Sequence, residues 1–100
     1  MKYLKYFERR VTPETDIEDL SKKDKEKYDA LGIKVGDYVK FLYDPRYKNK
    51  IFEVDQVDLN LPQMNYLLYV PGTDDSIGWI HRHDIELASE LDIATLKYNL

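Results

Sequence analysis

The alternation of apolar and polar residues is clearest between positions 34 and 43. Val35, Asp37, Val39, Phe41 and Tyr43 stand against Lys34, Tyr38, Lys40 and Leu42, a period-2 pattern with one mostly apolar face. Ile51 to Val57 alternates again, Tyr66 to Val70 is a short aromatic-rich strand, and Ile77 to Ile80 and Ile85 to Leu87 close the series. The stretches between them are turn-like by composition. They are Asp44-Pro45-Arg46-Tyr47-Lys48-Asn49-Lys50, the segment from Leu59 to Asn65, and Pro71-Gly72-Thr73-Asp74-Asp75-Ser76. Five short strands spaced in this way predict a small antiparallel barrel over residues 33–87.

The flanks read differently. In residues 1–32 the opening is ambiguous, since Leu4, Phe7 and Val11 fit a helical face while Tyr3, Lys5 and Phe7 fit a strand. Thr12-Pro13 predicts a helix start, because proline's missing N–H costs nothing at the first helical position. Thr15 to Glu18 and Ser21 to Asp24 both resemble capping boxes. The firmest expectation is a helix over 22–31, with Ser21 as N-cap and Gly32 as its stop. Its apolar face is thin, so it must dock through Leu20, Tyr28 and Leu31. Residues 88–100 predict a short helix capped by Ser89, with Leu91, Ile93, Leu96 and Leu100 as its apolar positions. The whole is a mainly β chain with flanking helices, folded as one compact domain.

Composition narrows the class. One hundred residues, 34% charged and 43% apolar, fit a single small domain that buries roughly 60–68% of its unfolded surface. The absence of cysteine excludes a disulfide framework, thiolate metal sites and thiol catalysis. Met1 to Arg10 has no uninterrupted apolar run and no small-residue cleavage site, which predicts no signal peptide. The longest apolar run, Tyr66 to Val70, falls far short of the ~20 residues of a membrane span, so a cytoplasmic protein without membrane association is expected. The bias to lysine (11) over arginine (4), with nine tyrosines and three alanines, matches AT-rich coding sequence such as that of low-GC bacteria and their phages. Charge is uneven: residues 1–50 carry 13 basic and 10 acidic side chains, and residues 51–100 carry 2 and 9.

Two segments carry a resemblance. Gly78-Trp-Ile-His-Arg-His-Asp-Ile-Glu-Leu87 resembles the closing segment of Src-homology-3 (SH3) domains, where a 3₁₀ turn links the last two strands. Val35-Gly-Asp-Tyr-Val39 resembles the Gly-Asp strand start of SH3-like and KOW-type barrels. The resemblance covers about residues 33–87 and implies a five-stranded SH3-like antiparallel barrel. Where SH3 domains have the Pro and Tyr of their peptide groove, this chain has His81 and Asp84, and Tyr66-Leu67 stands in place of the tandem Trp. Those departures argue against recognition of Pro-rich peptides.

Candidate chemistry is sparse. His81 and His83 would share a face if that segment were extended, with Asp84 or Asp75 as a further ligand, but the set lacks an assured third ligand, so no metal or other cofactor is expected. Asp74-Asp75 reads as a solvated turn. The four glycines, at 32, 36, 72 and 78, form no phosphate loop. Glu53 and Asp55 are two apart on one strand, where Lys40 or Lys50 would neutralise them across the sheet. Nothing here predicts an enzyme.

Tyrosine is the unusual feature, because an exposed, stiff, amphipathic ring makes contact surface at low entropic cost. The expected binding surface is Tyr43, Arg46, Tyr47, Lys48, Trp79 and His81, with the first long loop and the closing turn on one side of the barrel. The function expected from these residues is that of a non-enzymatic protein-interaction module of a phage or mobile element. The alternative is a nucleic-acid-associated KOW- or Tudor-like module, opposed by the acidic second half and a pI near 5.1.

Overall fold

A computed structural model of the chain describes residues 10–60 and 65–98, with side chains followed as far as Thr95. Leu4 and Phe7 of the ambiguous opening, the side chain of Leu96, and Leu100 lie outside that description, while Val11, read on a helical face, is a buried strand residue. The chain runs β1 (Arg10–Val11), α1 (Lys22–Leu31), β2 (Tyr38–Phe41), β3 (Ile51–Asp58), β4 (Tyr66–Tyr69), β5 (Ser76–Ile80), β6 (Ile85–Leu87) and α2 (Glu90–Tyr98). Short 3₁₀ turns occupy Ile17–Asp19, Pro45–Tyr47 and Arg82–Asp84. Among the described residues no helix is long and apolar enough to cross a membrane.

The strands form an antiparallel sheet in the order β5-β4-β3-β2-β6, with β1 added beside the far half of β3. The sheet is open, and no ladder joins β5 to β6 among the described residues. Those two strands are linked only through the Arg82–Asp84 turn. One face carries the core: Val39 pairs with Phe52, Val54 with Leu68, and Val57 with both Tyr66 and Val11. Val39, Val54, Val57, Tyr66, Leu68 and Val11 are all buried there. At ~25 cal/mol per Å2 of apolar surface removed from water, this face holds the fold together.

Helix α1 starts and stops as its sequence predicts. The Ser21 hydroxyl accepts the Asp24 N–H at 3.1 Å, and Gly32 adopts a left-handed φ of 78° that lets its N–H reach the Asp29 carbonyl. Tyr28 is its one buried residue, with Leu20 and Leu31 packed beside it against the core. Three side chains then staple the link from α1 to β2. The Tyr28 hydroxyl accepts the Val35 N–H at 2.8 Å, the Tyr66 hydroxyl donates to the Ile33 carbonyl at 3.2 Å, and Arg82 donates to the Leu31 carbonyl at 2.8 Å. Arg82 also donates to the Ile85 carbonyl at 3.1 Å, so one guanidinium joins the helix end to β6.

Several expectations change. Thr12-Pro13 starts no helix: the Thr15 N–H donates to the Thr12 carbonyl, and the Thr15 hydroxyl accepts the Thr12 N–H, which closes a turn. The cap that follows is Asp16 rather than Thr15, and it caps only a 3₁₀ turn. Strand β2 begins at Tyr38, not near residue 34, because the Asp37 N–H bonds the Lys34 carbonyl and Gly36 takes a φ of 91°. The alternation across residues 34–37 therefore belongs to a turn. The added strand β1 has no counterpart in the sequence reading, since two residues are too few for a period to register. At the other end Ser89 caps α2 with Asp92 in a reciprocal box, yet Leu91 is 77% exposed and not an apolar anchor.

Candidate functional site

Strand β2 ends at Phe41, and the chain bends outward through Leu42 and Tyr43. Asp44 then caps the Pro45–Tyr47 turn: its carboxylate accepts the Arg46 N–H at 3.0 Å, with Pro45 pre-set for the first turn position. The turn throws the Tyr47 ring back onto the sheet. It stacks 4.7 Å from Phe41 and meets Phe52 edge-on at 5.2 Å, while Phe41 and Phe52 are themselves 5.6 Å apart. Tyr47 is therefore half-buried and closes this end of the core. Asn49, with φ 64°, carries the chain from the turn into β3, a conformation asparagine tolerates better than most residues.

Around this loop lies a cleft of about 990 Å3 at the end of the sheet where β2 leaves and β3 begins. Phe41, Tyr47, Phe52 and Ile77 give it apolar depth, and Leu42, Tyr43 and Val70 stand round it. Those last three are among the large apolar side chains exposed in the described residues, Tyr43 at 79%. Ile77 reaches the core side because the register between β4 and β5 shifts at Leu68/Tyr69 and leaves it without a partner across the strand.

The charges of the cleft are unequally committed. Asp44 holds Arg46 through two hydrogen bonds, at 3.2 and 2.8 Å. That guanidinium keeps the carboxyl below its ordinary range, and the carboxylate in turn raises Arg46. Lys40 bridges Asp92 at 3.0 Å and Glu86 at 3.6 Å, correcting the expectation that it would neutralise Glu53 or Asp55. Backbone and hydroxyl hydrogen bonds from Ser89, together with Lys40, lower Asp92 to about 2. Lys48 and Lys50 also line the cleft, and neither ammonium group has an ion pair among the described residues.

The six residues singled out from sequence therefore divide. Tyr43, Tyr47 and Lys48 line the cleft, and Arg46 stands in the same loop. Trp79 lies elsewhere. It pairs with Leu67, between the buried Tyr66 and Leu68, so its ring faces away from the core, where the Arg10 guanidinium sits 5.1 Å from it. His81 precedes the Arg82–Asp84 turn, with its Nδ1 buried and without a hydrogen-bond partner among the described residues. That turn does adjoin the loop, since the Leu42 N–H donates to the Asp84 carbonyl at 3.0 Å. The His81 and His83 rings lie 5.2 Å apart on a 3₁₀ turn rather than an extended strand. Among the described residues no group of three or more His, Cys, Asp and Glu side chains is arranged to hold a metal.

Known proteins offer no match: the chain fits no family model, no curated sequence and no solved structure. The reading of the cleft therefore rests on its own chemistry. Sequence reasoning missed Leu42, Val70 and Ile77. Leu42 had left a trace, as the middle of three consecutive apolar residues that breaks the alternation of β2.

Proposed function

We propose that this chain is a non-enzymatic protein-interaction module that binds a partner through the cleft around Tyr43. The observation that carries the reading is the grouping of Leu42, Tyr43 and Val70, three of the large apolar side chains exposed among the described residues, around one mainly apolar cleft. Exposed aromatic and aliphatic groups round an apolar depression are what an interface core needs, and tyrosine is enriched among the residues that dominate binding energy. The fold we propose for it is SH3-like. The strand order β5-β4-β3-β2-β6 and the 3₁₀ turn between β5 and β6 support it, and a five-stranded barrel would follow if the two edge strands curl together. An origin in a phage or mobile element rests on composition alone.

The test is Leu42→Ser combined with Tyr43→Ser, measured by calorimetry against a partner or a display-selected peptide. Loss of at least about tenfold in affinity, ~1.4 kcal/mol, is expected, with unfolding temperature little changed. Undiminished binding would remove the cleft from consideration. Trp79→Ala is the internal comparison and is expected to change affinity less than about twofold.

A further inference from the structure

We infer that the segment received by the cleft is acidic: an apolar or aromatic anchor flanked by Asp or Glu, donated by a partner protein. This rests on the interaction reading above and adds the chemistry of the occupant. The argument is a census of charge at the cleft wall. Lys40 is committed to Asp92 and Glu86, and Asp44 is committed to Arg46. Lys48 and Lys50 remain, both exposed and both without an ion pair among the described residues. Asp92 and Glu86 share the single charge of Lys40, so that trio keeps one negative charge. With the two lysines the wall beside Tyr43 and Leu42 is still net positive, although the chain as a whole carries −4.

A chain-wide negative charge repels acidic partners at long range, but beyond about 10 Å at 0.1 M salt that field is largely screened. At contact distance the two lysines decide. They reject a basic segment and favour carboxylates placed beside an apolar anchor. A nucleic-acid strand is a poorer fit, because it carries a phosphate at every residue. Past the two lysines it meets Glu86, Asp92 and Asp44, with no further uncommitted cation among the residues lining the cleft.

The experiment selects a random 12-residue peptide display library on the full chain and on three variants: Lys48→Glu with Lys50→Glu, Tyr43→Ala, and Lys48→Arg with Lys50→Arg. The expected peptides carry an aromatic or large aliphatic residue with at least two neighbouring acids. Their affinity should fall about tenfold or more in the glutamate variant, hold in the arginine variant, and weaken as salt rises. Selected peptides that need Tyr43 but show no acidic bias would overturn this inference and leave the interaction reading standing. Failure to select any Tyr43-dependent peptide would overturn both. A dT20 oligonucleotide that binds more tightly than the best peptide and needs Lys48 and Lys50 would assign the cleft to nucleic acid. Self-association that disappears in the glutamate variant would assign it to a second copy of this chain. Either of these results also overturns the inference.

Discussion

Replacing Tyr28 tests how the N-terminal helix is held. Helix α1 has ten residues and one buried side chain, and an isolated helix of that length is marginal in water. Its existence therefore depends on docking. The Tyr28 ring is 3% exposed, its hydroxyl accepts the Val35 N–H at 2.8 Å, and the Lys34 ammonium lies 4.5 Å from the ring centre. Tyr28→Ala removes a buried aromatic side chain, a change that costs about 3–5 kcal/mol in packed cores. Against a total of about 5–15 kcal/mol for a domain of this size, at least about a fifth of the stability is at stake. Tyr28→Phe keeps the ring and leaves the Val35 N–H without its acceptor, for about 1–2 kcal/mol. At roughly 4–8 °C per kcal/mol, the Phe variant should melt about 5–15 °C lower and the Ala variant at least about 12 °C lower. Thermal denaturation gives the order, and amide hydrogen exchange localises the loss. In Tyr28→Ala the amides of residues 25–31 should lose protection before those of β3. If α1 stays as protected as the sheet in that variant, or if the two variants melt alike, Tyr28 is not the anchor.

Other outcomes follow from the same geometry. Burial raises the Tyr66 phenol to about 12, and its neutral form is the one the fold accommodates. Stability should be intact below pH 10 and fall by about 2–3 kcal/mol as pH rises toward 12. Tyr66→Phe should flatten that limb, as read by urea denaturation across the range. Asp92 is lowered to about 2, so its contribution is present above the ordinary carboxylate range and lost as pH falls through 2. Helix α2 should therefore lose amide protection between pH 4 and 2, and Asp92→Asn should show the loss already at neutral pH. Arg82→Lys cannot reproduce the fork that reaches both Leu31 and Ile85, and should cost about 1–3 kcal/mol in chemical denaturation.

The sequence made some elements legible because single residues decide them. Ser21 and Gly32 bracket α1, Ser89 opens α2, and Pro45 fixes the turn that precedes Tyr47. Alternation located β3, which buries one face, and short apolar runs between turn-like segments located β4, β5 and β6. What stayed hidden depends on partners distant in the chain. The turn at Lys34–Asp37 alternates like a strand, and only the bond from Asp37 to Lys34 reveals it. Lys40 looked paired to β3 because the sequence gives no register between β2, β6 and α2. The six candidate surface residues were chosen by type, and type cannot say which side of the sheet Trp79 takes. The groove wall at Ile77 required the register shift between β4 and β5 to bring it there.

The central claim is that binding happens at the cleft and not on the Trp79 side of the sheet. Titrating a selected peptide into the 15N-labelled chain and mapping amide shifts tests it directly. Changes should centre on residues 41–50, 70–71 and 77, with the Trp79 indole signal unmoved. Shifts centred on the Trp79 indole and the amides of Arg10 and Leu67, with residues 41–50 silent, would contradict the account.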